Sequence, residues 1–384
     1  MSELVDLVER LVEIPSHEDE TAVGDAIEAW LRAETDARVE RDDVGNVLAY
    51  RGAVGDPEAT SLALVGHHDV VPPAERQVAE PGSAAGDAEA TSGDGSSAAY
   101  VVERRDGRIY GRGTADMKGT VAASMLAFRD AEVPPGRELS FASFVGEEVG
   151  GTGARHAIDA GFAPEYAVVG EGSTNYSKPG VTDVVVAHRG RRASTLVAEG
   201  VSAHASEPAV GENAVYRACD AVDVVRELDV PAATVLGETV PGSIAVTGID
   251  GGEEWNTVPD RCEVTIDERT VPGERVELER TEDVDGVTWS VDQDLPPMAC
   301  SDDAFADAAL DVAREVHAEL GLDRPEHETK PHATDAGWLA DAGTACVVCG
   351  ASEPGQAHTD TESASIDVLR RCRAIHRGIA ERSW

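Results

Sequence analysis

The sequence predicts an α/β protein of two domains, in which a larger domain with a mixed, mainly parallel sheet and helices on both faces is interrupted by a smaller α+β domain. Strand and helix patterns alternate over the first 180 residues, strands then cluster around one helix, and a helical pattern returns after Pro296. A chain of 384 residues also exceeds the usual size of one domain. We therefore predict a larger domain of residues 1–180 and 297–384 and an inserted domain of residues 181–296.

The larger domain begins with an amphipathic helix, because apolar residues recur at helical spacing from Leu4 to Val12 with acidic residues between them. Alternating strands and helices follow, which is typical of a parallel sheet whose sites lie where loops leave the carboxyl ends of the strands. The predicted strands are residues 61–65, 139–145, 167–169 and 345–348, and the predicted helices are residues 114–131, 303–320 and 365–382.

The inserted domain has a different pattern, in which strands are not separated by regular helices. Its predicted strands are residues 184–186, 194–198, 243–246 and 262–267, and its predicted helix is residues 213–228. One segment of the larger domain, residues 77–99, contains almost only small and polar residues. It lacks the apolar area needed to order itself, so we expect a surface loop there.

The charge of the chain is strongly negative. Asp and Glu number 73 against 32 Lys and Arg, which gives a net charge of -41, and lysine occurs only at Lys118, Lys178 and Lys330. This balance argues against binding to nucleic acid and to anionic membranes, since both require clustered cations. Molar salt would screen the self-repulsion of such a surface. We therefore expect a protein adapted to a high-salt cytoplasm.

A cytoplasmic location is also expected from two other features. No segment approaches the roughly 20 apolar residues of a membrane span, and the N-terminus lacks the basic start and apolar stretch of a signal peptide. The six cysteines are scattered, as is typical of reduced thiols. Cys346 and Cys349 form a CxxC pair, but their apolar neighbours favour a buried strand over a zinc site.

Five short segments place His, Asp or Glu where the pattern predicts loops after strands. Imidazole and carboxylate ligands together suit zinc and similar ions better than calcium or magnesium. Carboxylates that converge on one sheet edge would also repel each other unless a cation lay between them. The segments are Gly66-His67-His68-Asp69-Val70, Gly111-Arg112-Gly113-Thr114-Ala115-Asp116-Met117-Lys118-Gly119, Gly146-Glu147-Glu148, Gly170-Glu171-Gly172 and Ala357-His358-Thr359-Asp360.

In this order the five segments closely resemble the M20 metallopeptidase family, especially its succinyl-diaminopimelate desuccinylase and acetylornithine deacetylase branch. The resemblance covers nearly the whole chain except residues 77–99. It implies that His67 and Glu171 hold one divalent metal ion and that Glu148 and His358 hold a second. Asp116 is expected to bridge the two ions. Zinc is the expected metal, with cobalt and manganese as alternatives.

The resemblance also implies the residues that assist the metals. Asp69 is expected to accept a hydrogen bond from the His67 imidazole and so fix its tautomer. Glu147 is expected to be the general base, because adjacent side chains in an extended segment point in different directions and it need not share the ligand role of Glu148. No acyl-enzyme is expected, since neither GxSxG-like stretch, around Ser173 or Ser206, has the second glycine.

The inserted domain resembles the lid and dimerisation domain of the same family. The stretch 200–214 contains His204, which is expected to reach the active site of the partner subunit of a homodimer and stabilise an oxyanion. Asn256 and Arg269 match lid positions that hold the substrate, and Arg269 would pair with a substrate carboxylate. The alternatives are a turn residue for His204 and a surface ion pair for Arg269.

Two positions depart from the family pattern, and residues 77–99 replace a stretch before the GRG motif that usually contains Trp. His68 occupies the position between His67 and Asp69 where Thr is usual. It could contact a metal ion or only lie beside the residues that do. Gly172 follows Glu171 where Pro is common, which would loosen that loop. His188, at the start of the inserted domain, has no assigned role.

The resulting prediction is a metal-dependent hydrolase that cleaves the amide bond of a small N-acyl amino acid, of the N-succinyl-diaminopimelate or N-acetylornithine type. A dipeptidase or carboxypeptidase of the same family is the alternative enzyme. A protein that binds metal and ligand without turnover is the alternative of another class. The presence of Glu147 beside a full ligand set argues against it, since binding alone requires no base.

Overall fold

The computed structural model describes residues 3–79 and 99–384, so that residues 80–98 of the predicted surface loop lie outside the described part. The chain divides into two compact units. Unit 1 consists of Met1–Val186, Ala299–Lys330 and Thr334–Trp384, and unit 2 of Ala187–Met298 and Pro331–Ala333. Unit 2 therefore begins six residues later than the inserted domain drawn from the sequence, because the strand around residue 186 pairs within the large sheet of unit 1.

The N-terminal half contains the predicted first helix and the three predicted strands, together with elements that were not predicted between residues 21 and 52. The helices are α1 (Glu3–Glu13), α2 (Thr21–Glu34), α3 (Lys118–Asp130) and α4 (Thr152–Asp159). The strands are β1 (Arg38–Arg41), β2 (Val47–Gly52), β3 (Thr60–His67), β4 (Glu103–Arg105), β5 (Arg108–Tyr110), β6 (Arg137–Phe144), β7 (Tyr166–Val169) and β8 (Val184–His188).

The middle of the chain is mostly β-structure around one helix, α5 (Ala214–Glu227). Its strands are β9 (Arg191–Glu199), β10 (Ala203–His204), β11 (Ala232–Val235), β12 (Glu238–Pro241), β13 (Ser243–Gly251), β14 (Thr257–Val258), β15 (Arg261–Arg269) and β16 (Val287–Leu295). The C-terminal part contains β17 (Met298–Ala299), α6 (Asp303–Leu320), β18 (His327–Lys330), α7 (Asp335–Asp341), β19 (Ala345–Val348), β20 (Ser363–Ser365) and α8 (Ile366–Glu381).

The large sheet is mixed, with a parallel centre. Its strand order is β1-β2-β6-β3-β7-β19-β8-β17, and β18 pairs with β8. The four neighbours β6, β3, β7 and β19 run parallel, whereas β1, β2 and β8 join the sheet through antiparallel pairs. Helix α3 packs on β3 and β6, and α6 and α7 pack on β19. The predicted α/β class with a mainly parallel sheet is confirmed.

The central strands are continuous apolar runs because the sheet is covered by helices. The residues from Leu62 to Val65 in β3 and from Val347 to Val348 in β19 have no exposed surface. Such runs are typical of parallel strands that are buried on both faces. Because parallel strands end at the same sheet edge, the loops after β3, β6 and β7 leave the sheet side by side.

One predicted helix begins later than expected. Residues 114–117 were predicted as the first turn of a helix, but α3 begins at Lys118. The Thr114 hydroxyl bonds to the carbonyl oxygen of Gly111, and the backbone N–H groups of Ala115 and Asp116 donate to the Glu362 carboxylate. These bonds hold residues 111–117 as a loop rather than as a helical turn.

Unit 2 is built on a four-stranded antiparallel sheet of order β13-β15-β9-β16. Side chains of β9 and β15 alternate between buried and more exposed positions, as expected for a sheet with one covered face. The covered face packs against α5, whose first turn is capped by the Asn213 side chain.

The two cysteines of the CxxC pair lie in the buried part of the large sheet. All six cysteines are free, and Cys346 and Cys349 are fully buried at strand β19, where burial raises the pKa of each thiol well above its ordinary value. The prediction of a buried strand at this CxxC pair is confirmed. Within residues 3–79 and 99–384, no helix has the length and apolar character to cross a bilayer.

Candidate metal centre

Several predicted site residues of unit 1 lie at the ends of three parallel strands, at one edge of the large sheet. His67 is the last residue of β3, Glu147 and Glu148 follow β6, and Glu171 follows β7. His67 pairs in register with the end of β6, and Val65 with the end of β7. The side chains after these strands therefore converge because the strands are parallel and in register.

A first cluster of possible metal ligands contains His67, Asp116 and Glu171. The His67 Nε2 atom lies 3.2 Å from Asp116 Oδ1 and 3.1 Å from Glu171 Oε1. His67 is almost completely buried, and Glu171 is 7% exposed. One imidazole nitrogen and two carboxylate oxygens thus point at a common position inside the protein.

A second cluster contains Asp116, Glu148 and His358. The His358 Nε2 atom lies 3.2 Å from Asp116 Oδ2 and 3.1 Å from the Glu148 carboxylate. Asp116 therefore faces His67 with one oxygen and His358 with the other. The structure brings together all five residues predicted from sequence to hold metal ions, with Asp116 between the two groups.

The chemistry of these donors fits divalent cations. The Nδ1 atom of His67 lies 3.1 Å from the Asp69 carbonyl oxygen and 3.3 Å from its carboxylate, which favours a proton on Nδ1. The lone pair of Nε2 then faces two carboxylate oxygens, an arrangement that is repulsive without a positive charge. Although burial opposes it, hydrogen bonding to Asp116, Asp69 and Glu171 raises the pKa of His67 well above its ordinary value. The site therefore favours positive charge at this nitrogen, as a proton or as a metal ion.

The second histidine is more exposed and has the same preference. Hydrogen bonds to Asp116 and Glu148 raise the pKa of His358 to about 10. The same two imidazoles hold the pKa of Asp116 below its ordinary value, even though burial of this carboxyl acts in the opposite direction. Asp116 is thus an anion held between two groups that stabilise its charge.

Asp69 anchors the loop that carries the two adjacent glutamates. Its Oδ1 atom accepts the backbone N–H of Glu147 at 3.1 Å, and its Oδ2 atom accepts that of Glu148 at 3.0 Å. Gly146 precedes them with a φ of 62°, and a Cβ atom there would lie 2.1 Å from the Thr152 hydroxyl oxygen. The backbone of this loop is therefore fixed from both sides.

Glu147 lies next to the ligand clusters without belonging to either of those identified among the described residues. Its side chain is partly buried. Burial, together with the nearby carboxylates of Asp335, Glu171 and Asp116, raises the pKa of Glu147 well above its ordinary value. A carboxyl group with this environment has a greater affinity for a proton than an exposed glutamate.

Two functional contacts were not found by sequence reasoning. Glu362 accepts hydrogen bonds from Ala115 and Asp116 and forms a buried ion pair of 2.6 Å with Arg112. Lys330 lies 2.9 Å from Glu171 Oε2, and both side chains are buried. Glu362 lies four residues after His358 and Arg112 is part of the GRG motif, so this pair had a signal in the motifs. Lys330 belongs to no motif.

The sequence model of peptidase family M20/M25/M40 matches residues 63–382 of this chain. The chain belongs to this family. It is therefore a metal-dependent hydrolase, and the two clusters around Asp116 are its candidate metal-binding residues.

Proteins with similar sequences are named as deacylases, and a solved structure with a similar fold is an aminopeptidase. The acetylornithine deacetylase of Myxococcus xanthus is 28% identical in an alignment of 360 positions that covers 87% of this chain and 84% of the relative. A succinyl-diaminopimelate desuccinylase of Acidiphilium cryptum (strain JF-5) is 30% identical in an alignment of 245 positions that covers 62% of this chain and 56% of the relative. The aminopeptidase PepT of Bacillus cereus has the same fold, with a TM-score of 0.75 at 19% identity over 99% of this chain and 97% of that chain.

In unit 2 of this M20 chain, His204 and Asn256 lie together on a short ribbon. Strand β10, which ends at His204, pairs with β14, and Ala205 donates its N–H to the carbonyl oxygen of Asn256. Both side chains are exposed. The Nδ1 atom of His204 accepts the N–H of Ser206 at 3.2 Å, so in the neutral imidazole the proton lies on Nε2.

Arg269 ends β15 in unit 2 and forms an ion pair with Asp267 of the same strand, with Nε 2.7 Å from Oδ1. This contact agrees with the surface ion pair that was the alternative for Arg269. Asp267 also binds Arg191, so it is shared between two guanidinium groups. Its second contact to Arg269, from Nη2, is longer at 3.4 Å.

The structure shows the surroundings of the two departing positions, His68 and Gly172, and of His188, which has no assigned role. His68 is buried, and its Nδ1 atom lies 2.8 Å from the Ser143 hydroxyl; burial lowers the pKa of this imidazole to about 3. It belongs to neither ligand cluster of the described residues. Gly172 packs on Ser352, where a Cβ atom would lie 2.7 Å from the serine Cβ, so it permits a close contact rather than a loose loop. His188 is buried at the end of β8, with Nδ1 3.0 Å from the Arg189 carbonyl oxygen.

Proposed function

We propose that this M20 hydrolase cleaves the amide bond of a small N-acyl amino acid, of the N-acetylornithine or N-succinyl-diaminopimelate type, with the help of two divalent metal ions. One observation carries the proposal. Asp116 places its two oxygens 3.2 Å from two different histidines, and Glu147 stands beside this pair of clusters. Two ion sites that share a carboxylate, next to a proton-accepting side chain, are suited to hydrolysis by an activated water molecule.

In this proposal His67 and Glu171 would hold one ion, Glu148 and His358 would hold the other, and Asp116 would contribute to both sites. When bound, such ions polarise a carbonyl oxygen and lower the pKa of a water molecule. Imidazole and carboxylate donors favour zinc, with cobalt and manganese as alternatives. Asp69 fixes the tautomer of His67 and the position of the loop with Glu147 and Glu148.

Glu147 is the general base of the proposed reaction. Its carboxylate takes a proton from the water molecule whose oxygen attacks the amide carbon. As the C–N bond breaks, the protonated Glu147 gives that proton to the leaving nitrogen, so that one residue acts first as base and then as acid. Its raised pKa supports this role, because a carboxylate with a higher pKa is a stronger proton acceptor than an exposed glutamate.

Unit 2 is proposed to provide substrate recognition in a homodimer. The proton on His204 Nε2 would stabilise an oxyanion in the partner's active site, and Asn256 on the same ribbon would contact the substrate. Arg269 would bind a substrate carboxylate, for which it must share its guanidinium with Asp267. The resemblance to the family's lid and dimerisation domain supports these assignments.

The alternative function is that of a dipeptidase or carboxypeptidase. The peptidases among the neighbours share the fold, and the metal ligands would be the same, so only the recognition residues would differ. Metal content and substrate preference separate these possibilities.

We expect the purified enzyme to bind about two metal ions per chain and to lose at least about 99% of its activity on chelation, because the metals supply the water activation. Metal content is measured by mass spectrometry, and activity against acetylornithine, succinyl-diaminopimelate and unblocked dipeptides. Re-addition of zinc, cobalt or manganese should restore activity. A tenfold preference for dipeptides would favour the peptidase alternative, and two bound ions without any turnover would favour a binding protein.

We also propose that the protein works in a salty cytoplasm, supported by its net charge of -41 and its free cysteines. The temperature of unfolding should rise by about 10 °C or more between 0.1 and 2 M KCl, because the Debye length falls from about 10 Å to below 3 Å. Thermal unfolding followed by circular dichroism checks this, with sucrose as the uncharged control for preferential exclusion. Equal unfolding temperatures in low and high KCl would contradict the proposal.

A further inference from the structure

The three lysines of this chain are distributed unusually. Lys118 and Lys330 are buried, whereas the side chain of Lys178 is 42% exposed and pairs with Glu326 at 3.2 Å. An ammonium group is costly to bury unless it is paired. Two of the three lysines are thus buried, but their contacts differ: Lys118 Nζ donates to the Ile14 carbonyl oxygen at 2.6 Å, whereas Lys330 pairs with a carboxylate.

The carboxylate partner of Lys330 is Glu171. Its Nζ atom lies 2.9 Å from Oε2, while Oε1 of the same carboxylate lies 3.1 Å from His67 Nε2. The two oxygens of Glu171 are thus engaged on opposite sides by different groups. Although burial acts against its charge, the Lys330 ammonium holds the pKa of Glu171 below its ordinary value.

Glu148, the corresponding carboxylate of the second cluster, is held differently. Both of its oxygens lie 3.1 Å from His358 Nε2. Its carboxylate can therefore present two oxygens to the same side, whereas that of Glu171 presents one. The two candidate ion sites have the same kinds of ligand but differ in how many oxygens the glutamate offers.

We infer that Lys330 is a positioning residue that restricts Glu171 to a single-oxygen contact with the ion on the His67 side. This inference rests on the proposed function. With one atom each from His67, Asp116 and Glu171, that ion would keep a coordination position for water or substrate, as catalytic zinc sites do. A second oxygen from Glu171 would compete for that position. Removal of a side chain that orients a metal ligand through a hydrogen bond commonly changes metal affinity or activity 10–100-fold.

The test compares Lys330→Met and Lys330→Arg with Lys178→Met, a matched control that removes a lysine and its ion pair at the surface. Each protein is loaded with Co(II), whose visible absorption weakens as its coordination number rises. We expect two ions per chain in all variants, weaker absorption in Lys330→Met, and a kcat about 10–100-fold lower with a smaller change in KM. Lys330→Arg should recover most of the absorption, because a cation again holds Oε2. Lys178→Met should match the wild type.

Lys330→Gln is the second neutral variant, in case Lys330→Met does not fold, since it keeps a buried polar group but ends about one bond short of Oε2. It should show the same loss of absorption. A folded neutral variant with the absorption and kcat of the wild type would overturn the inference, and so would one that loses only thermal stability. Failure of the wild type to bind any metal would instead overturn the proposed function.

Discussion

Substitution of Glu147 by Gln or Ala is expected to lower kcat about 10²–10⁴-fold while the metal content stays at about two ions per chain. Glu147 lies outside both ligand clusters, so its loss should leave the ligands of both ions in place. The proton of the attacking water would then lack an acceptor, and the leaving nitrogen would lack a donor. Steady-state kinetics and metal analysis of the same preparation test both parts of this prediction.

Glu148→Gln is the matched control, because it makes the same chemical change at the adjacent residue. It should lower the metal content as well as kcat, since Glu148 contacts His358 in the second cluster. The comparison separates proton transfer from metal binding. If Glu147→Gln kept more than about a tenth of the wild-type kcat, the general-base role would be wrong. Loss of metal in Glu147→Gln would instead make it a ligand.

A heterodimer of one Glu147→Gln subunit and one His204→Ala subunit is expected to have about half the wild-type activity, although each homodimer should be reduced at least about 100-fold. In the proposed homodimer, His204 acts in the partner's active site. The His204→Ala subunit retains Glu147 and receives an intact His204 from its partner, so one complete site is formed. Co-expression with two different affinity tags provides the heterodimer for kinetic measurement.

The control heterodimer combines Glu147→Gln with Asp116→Asn. Glu147 and Asp116 both act in the active site of their own subunit. Each site of this heterodimer therefore lacks one residue that the partner cannot supply, and activity should stay at the background. Recovery in the control would point to subunit exchange or contamination. Absence of recovery in the first heterodimer, or full activity of an isolated monomer, would show that His204 does not act across subunits.

Much of the site was predictable because residues that directly follow parallel strands meet at one edge of the sheet. Apolar runs identified β3, β6 and β7, and a His or Glu residue lies at or just after the end of each run. His67, Glu148 and Glu171 could therefore be expected at one sheet edge. His358 is far from these residues in sequence and was placed by resemblance to the family. In the structure the four other candidate ligands, His358 among them, lie around Asp116, in agreement with that expectation.

The features that sequence did not predict depend on contacts between distant segments. The loop before α3 has helical residue types, but Glu362 captures its backbone N–H groups from almost 250 residues away. Lys330 contacts Glu171 across a separation of 159 residues and has no motif of its own. The strands β1 and β2 were missed because they are short and partly exposed, so their apolar pattern is weak.

The two bonds accepted by Asp69 have a consequence for how this enzyme could evolve. A single carboxylate sets the backbone of both Glu147, the proposed general base, and Glu148, a proposed metal ligand. A substitution that moved the backbone of one glutamate would also move that of the other. Evolutionary change at these two positions is therefore linked. New specificities would arise more readily at Asn256, which is proposed to contact the substrate and takes no part in those two bonds. The geometry of the hydrolytic site would thus stay the same in descendants of this enzyme while their substrate preference changes.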